Sequence, residues 1–189
     1  MIQKYLETER IYLKKLVPGD ERYLLDLDSD PAVMTYLTDG RPSTLQEARA
    51  GLERILSLYE KHQHRLGFWL AIEKSSGEFM GWFLFRPCKQ HPDDLRIIEL
   101  GYRLKKKFWR QGFATEMSKA LINKGFQEFG IDSIFAKTMK LNIGSQCVMK
   151  KIGMTFEKEF LENDFPGKNK EAVRYLITKE QWKKSKAMR

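Results

Sequence analysis

The strongest chemical signal is the stretch Leu104–Glu116, which reads L-K-K-K-F-W-R-Q-G-F-A-T-E. A β-rich run ends at Leu104, a basic turn follows, and Gly112 opens a helical pattern. A strand that turns into a helix start leaves several backbone N–H groups without intrahelical acceptors. They converge on one spot with the positive end of the helix dipole behind them. That arrangement binds phosphate, and a pyrophosphate fits it. Gly112 lets the backbone come close to a ligand, and Ala114 keeps the next helical turn unobstructed. Arg110 and the Lys105–Lys107 run can add charge-assisted contacts. No Gly-Lys-Ser/Thr follows, so the turn is not a P-loop, and one glycine is not a dinucleotide fingerprint. From these residues alone, a plain helix start beside solvated lysines is the competing interpretation.

The flanking pattern supplies the elements that would hold this turn. Ile97–Leu104 reads as a strand, and Ala114, Met117, Leu121, Ile122, Phe126 and Phe129 form one apolar helical stripe, stopped by Gly130. Ile134–Met139 is a strand, and Asn142 caps a helix running to Lys151 that Gly153 ends. Upstream, Arg10–Leu16 alternates as a strand, Asp20 caps a short helix to Leu27, and Asp30-Pro31 starts a turn of helix near Ala32–Tyr36. Thr44 and Glu47 form a capping box for a helix to about Lys61. Gly67–Glu73 and Phe79–Phe85 read as a hairpin. Met154–Leu161 and Ala172–Thr178 close the chain as two strands, with a short helix after the Thr178/Gln181 box. Hairpins followed by a strand-helix-strand unit predict an α/β fold: a mixed sheet with helices on both faces.

Composition narrows the function classes. The 189 residues form one predicted domain, 1–189, long enough to bury its own core. Hydrophobic content of 42% with mean hydropathy −0.52 fits an ordinary globular protein. No apolar run is long enough to span a membrane, and Met1–Arg10 lacks the apolar core of a signal peptide. Cys88 and Cys147 have no metal or redox spacing and read as reduced thiols of a cytoplasmic protein. His62, His64 and His91 show no ligand spacing, so no metal is expected. Net charge is +9, from 34 Lys and Arg against 25 Asp and Glu. Such a surface attracts nucleic acid, the ribosome, an acidic peptide or a phosphate-rich cofactor, or is simply solvated.

Ile98–Gly153 resembles the GNAT superfamily, and within it the N-terminal alanine/serine acetyltransferases of ribosomal proteins. The family motif Gln/Arg-x-x-Gly-x-Gly/Ala falls on Trp109-Arg110-Gln111-Gly112-Phe113-Ala114. Gly112 and Ala114 match, while Trp109 departs from the stricter consensus. Asn142-Ile143-Gly144-Ser145 with Gly153-Met154 resembles the family's Asn-x-x-Ser helix ending in Gly-Phe. Ile98-Glu99-Leu100-Gly101-Tyr102 resembles the strand before the turn. The resemblance implies a mostly antiparallel sheet with one splayed parallel strand pair that holds acetyl-CoA. The pantetheine arm would pair with backbone of Leu100, Tyr102 and Leu104 like an added strand. The pyrophosphate would sit on the amides of Gln111, Gly112, Phe113, Ala114 and Thr115, beside Arg110. Asn142 would reach the cofactor, its plain capping role coexisting.

The implied reaction is acetyl transfer to a primary amine by direct attack. The amine must lose a proton and the departing thiolate must gain one. Glu99 is the candidate base, acting directly or through water, with a salt bridge to Arg86, Arg96 or Arg103 as the alternative. Many relatives place a tyrosine acid where this chain has Met149, which cannot donate a proton. Ser145 is the candidate acid, with a helix cap as the alternative. Cys147 reads as a buried thiol. Trp69, Trp82, Phe83 and Tyr102 are candidates for the acceptor channel or for the core. Acceptors in view are a peptide N-terminus, a ribosomal protein included, or a small amine, and the chain would act as a monomer or homodimer. A non-catalytic acyl-CoA-binding protein and a basic RNA-binding module are the competing functions.

Overall fold

A computed structural model describes residues 4–187. The first three residues of the polar N-terminus and the last two of the basic tail lie outside the described residues. Eight strands form one sheet: β1 (Lys4–Glu7), β2 (Ile11–Lys15), β3 (Gly67–Glu73), β4 (Phe79–Pro87), β5 (Ile97–Leu104), β6 (Ser133–Met139), β7 (Thr155–Leu161) and β8 (Glu171–Thr178), in the order β1-β2-β3-β4-β5-β6-β8-β7. Six α-helices complete it: α1 (Glu21–Asp28), α2 (Pro31–Thr38), α3 (Leu45–Lys61), α4 (Phe113–Glu128), α5 (Ile143–Lys151) and α6 (Lys179–Ala187).

Every neighbouring pair is antiparallel except β5 and β6, which α4 connects as a parallel crossover. That parallel ladder is short. It pairs Ile97, Ile98 and Glu99 with Ser133, Ile134 and Phe135 and then stops. Both strands continue, β5 to Leu104 along β4 and β6 to Met139 along β8. A gap therefore opens in the middle of the sheet, with a free backbone edge on β5 from Leu100 onward.

Strand alternation sorts the faces. Phe83 lies opposite Tyr102, and Phe85 opposite Leu100, on one face of β4 and β5. Helix α4 presses there so closely that a Cβ on Gly125 would lie 2.7 Å from Phe85 Cζ. Helix α5 shares this face, since Tyr175 Oη reaches Gln146 at 3.2 Å. The other face carries Trp82, Glu99 and Arg103, and Arg103 there pairs with Asp28 of α1. Helices cover both faces, as the sequence pattern predicts.

Three local readings change. Strand β1 is additional; four residues beside a polar terminus carry too little alternation to be read, and tertiary pairing with β2 makes the strand. Asp20 precedes α1 without capping it, because its carboxylate instead accepts from the Val17 amide at 3.0 Å and closes the Pro18-Gly19 turn. A 3-10 turn, Lys106–Phe108, sits inside the basic loop. The final helix does form as its box predicts: Gln181 N–H donates to Thr178 Oγ1 at 3.2 Å and Thr178 N–H to Gln181 Oε1 at 2.8 Å.

Gly125→Ala tests the close approach of α4. Overpacking against the fully buried Phe85, about 1–3 kcal/mol, should outweigh the helix preference for Ala, about 1 kcal/mol. The expected result is a lower urea midpoint at unchanged slope. An equal or higher midpoint would show that the contact has slack.

Candidate active site

The turn between β5 and α4 is tied down at both ends. Trp109 Nε1 donates to the Leu104 carbonyl at 2.7 Å, and Gln111 Nε2 to the Lys107 carbonyl at 2.6 Å. Trp109, the residue that departs from the family consensus, thus fastens the turn to the end of β5. Gly112 has φ +84°, the left-handed region that glycine occupies without strain. Arg110 also has a positive φ of 61°. No side chain caps α4, and its first backbone bond runs from Glu116 N–H to Gly112 O. The amides of Phe113, Ala114 and Thr115 are left facing the turn, as phosphate binding requires.

The lysine run is less available than its composition implies. Lys105 pairs with Asp26 at 2.6 Å and Lys107 pairs with Glu78. Among the described residues Lys106 and Arg110 have no ion pair, so they are the cations free for an incoming anion.

A buttress far away in sequence holds α4 in place. Glu116 accepts from the Arg10 amide at 3.0 Å, from Arg10 Nε at 2.7 Å and from Thr8 Oγ1 at 2.6 Å. The Arg10 guanidinium also donates to the Gln111 carbonyl at 3.1 Å and lies 4.3 Å over the Phe113 ring. Burial alone would raise the Glu116 carboxyl, but the bonds from Thr8 and Arg10 outweigh it and hold it below its usual range. No short motif announces this contact, because 106 residues of sequence separate Arg10 from Glu116.

At the gap itself the sequence candidates divide by face. Glu99 is the last β5 residue paired with β6 and is only 7% exposed. Arg86 donates to its Oε2 through Nε at 2.9 Å and Nη2 at 2.7 Å. Oε1 accepts no hydrogen bond among the described residues. Arg96 pairs instead with Asp94, and Arg103 with Asp28. Tyr102 points to the other face, where its hydroxyl lies 3.1 Å from Ser145 Oγ and 3.2 Å from Ser145 O. Burial pushes this phenol up to about 12, with the Ser145 bond pulling the other way. Asn142 Oδ1 accepts from the Ser145 amide at 3.1 Å, so the capping role is present.

Other candidates separate. Leu100 and Leu104 bury their side chains, 1% and 6% exposed, and offer only backbone to the gap. Trp69 and Phe83 are fully buried core residues, Trp69 stacked at 3.9 Å on Tyr5. Trp82 stays half-buried beneath the Arg103 guanidinium at 4.9 Å. Met149 is buried among apolar side chains. Cys147 is exposed, not buried as expected. Met149 lies two positions further along, and that helical spacing puts Cys147 on the opposite side of α5.

Residues 10–155 match the family model described as an acetyltransferase (GNAT) domain. The chain belongs to the GNAT family. It is 32% identical over 187 residues to FsC-acetyl coenzyme A-N(2)-transacetylase of Aspergillus fumigatus, covering 95% of this chain and 78% of that one. The fold is similar to that of a GNAT-family acetyltransferase from Bacillus anthracis, with TM-score 0.76, 24% identity and coverage of 93% and 98%. It is also similar to RimL, a ribosomal L7/L12 alpha-N-protein acetyltransferase in complex with coenzyme A, with TM-score 0.78, 16% identity and coverage of 93% and 98%. This GNAT protein is an N-acetyltransferase that uses acetyl-CoA. The geometry fits that donor: uncapped amides at α4 suit its pyrophosphate, and the free β5 edge suits its amide-bearing arm. No described helix is long and apolar enough to cross a membrane.

Glu116→Gln tests the buttress. The carboxyl sits below its usual range in the fold, so its contribution is complete above the unfolded value of about 4.3 and is lost as pH falls through the folded value. The variant should unfold at lower urea at pH 7, by about 1.5 kcal/mol for bonds to a charged group. The difference should shrink as pH drops below about 4. A difference independent of pH would remove the charge from the explanation.

Proposed function

We propose that the acceptor is the primary amine of a small molecule, which enters the gap from the α1–α3 face. The observation that carries the direction of entry is the position of the two candidate groups on opposite faces of β5. Glu99 Oε1 would take the amine's proton on one face, directly or through water, while Arg86 holds Oε2. Ser145 would give a proton to the leaving sulfur on the other face. Base and acid then flank the thioester, and they cannot neutralise one another.

The remaining assignments follow the same geometry. Backbone of Leu100, Tyr102 and Leu104 would pair with the pantetheine arm along the free edge. The amides of Gln111 to Thr115, with the Arg110 side chain, would hold the pyrophosphate. Asn142 would approach the cofactor through its side-chain amide while Oδ1 keeps capping α5. The whole chain, residues 1–189, would act as one acetyltransferase unit in the cytoplasm. The small-molecule acceptor is favoured because the Aspergillus relative, 32% identical over nearly the whole chain, is named an N(2)-transacetylase, a numbered nitrogen rather than a protein N-terminus. RimL, which acts on a protein N-terminus, shares 16% identity.

The test is thiol release from acetyl-CoA against FsC, small diamines, amino-acid derivatives and N-terminal peptides of ribosomal proteins. Turnover with a small amine is expected. Turnover with peptides alone would overturn the acceptor class. With the best acceptor, Glu99→Gln and Ser145→Ala should each lower kcat by about 10²-fold or more while KM for acetyl-CoA changes little. A change within about threefold for either variant would remove that residue from proton transfer.

A further inference from the structure

We infer that Tyr102 is the positioning residue for Ser145 and replenishes the proton that Ser145 gives to the leaving sulfur. This inference rests on the reading of Ser145 as the acid. Tyr102 lies three residues beyond the last β5–β6 pair, Glu99 with Phe135, and so stands where the gap is open. Its ring leans on Phe83 at 6.0 Å, and Phe83 is fully buried. From this fixed base its hydroxyl crosses to α5 and meets both oxygens of Ser145, Oγ at 3.1 Å and the carbonyl at 3.2 Å. No other side-chain hydroxyl reaches Ser145 among the described residues. Met149, one helical turn along α5, brings only a buried thioether.

The two contacts define two settings of one phenolic proton. When Tyr102 donates to the Ser145 carbonyl, the serine proton points back to the phenol. When Tyr102 donates to Ser145 Oγ, the serine proton is released toward the gap. In the second setting the amine nitrogen has bonded to the acyl carbon through its lone pair, and the C–S bond breaks with its electron pair going to sulfur. Sulfur takes the Ser145 proton, and the serine oxygen takes the phenolic one. Solvent restores the phenol, and the proton lost by the amine leaves through Glu99 to solvent. The sum is amine plus thioester giving amide plus thiol. Burial raises the phenol further above its ordinary range, so the donor form holds through neutral pH. Cys147 on α5 is the nearby titratable group that also raises it.

Three variants and one labelled protein test this. Tyr102→Phe keeps the ring and removes the hydroxyl. It should lower kcat about 10- to 100-fold, with KM for acetyl-CoA and calorimetric affinity for CoA within about twofold. The double variant Tyr102→Phe/Ser145→Ala should be no slower than Ser145→Ala alone, because the two act as one unit. Fluorotyrosine at position 102, with its more acidic phenol, should restore turnover near neutral pH and move the alkaline limb of kcat to lower pH. A purely structural role would not move that limb. If Ser145→Ala is slow and Tyr102→Phe is not, Ser145 stands and the role of Tyr102 falls. If Ser145→Ala is itself unimpaired, the acid assignment falls and this inference with it. Loss of CoA binding in Tyr102→Phe would reassign the residue to donor binding and overturn the proposal.

Discussion

The structure turns on a ladder that stops early. Parallel strands β5 and β6 pair over three residues each and then part, although both run on for several more. A sheet that loses its central ladder leaves backbone donors and acceptors unpaired, which a fold tolerates only where water or a ligand satisfies them. Each strand survives because its outer neighbour keeps hold of it. Strand β4 pairs with β5 out to Leu104, and β8 pairs with β6 out to Met139. The opening is therefore stiff, and its inner edge is a strand-shaped template for a chain that carries amides of its own.

A second constraint aligns the turn before α4 with that opening. The turn follows directly from β5, so its place along the strand is set by covalent connection. Its orientation is set by α4, whose first turn Thr8 and Arg10 seize through Glu116. Charge is then pared down around the turn: Asp26 and Glu78 neutralise two of the three lysines. What remains is a small positive focus of backbone amides, Lys106 and Arg110 on a chain whose net charge is +9. The overall charge alone would not single out this site; the local pairing does.

The legible parts of the fold were those encoded within a few residues. The Thr44/Glu47 and Thr178/Gln181 boxes and the Asn142 cap depend on side chains reaching nearby backbone, and the Gly112 turn on a left-handed φ that glycine tolerates, so a short window contains each of them. Contacts that join distant segments had no such window. Arg10 with Glu116 spans 106 residues and Tyr102 with Ser145 spans 43. For Glu99 the sequence offered three arginines, and only the antiparallel register, which sets Arg86 opposite it, chooses among them. Cys147 was misjudged although its helical phase relative to Met149 carried the answer.

Alternation along β5 ties these observations to chemistry. Residues 99, 101 and 103 face the α1–α3 side, and 100, 102 and 104 face α4 and α5. A carboxylate and a phenol three residues apart therefore lie on opposite faces of one rigid strand, with the gap between them. Two groups two residues apart would share a face, where an acid and a base could bond to each other instead of to substrate. On the proposed roles, the odd spacing of Glu99 and Tyr102 would keep the base and the residue that positions the acid on separate faces of the strand. It also lets α5 carry Met149 into the core, because the hydroxyl that reaches Ser145 arrives from the strand and not from the helix.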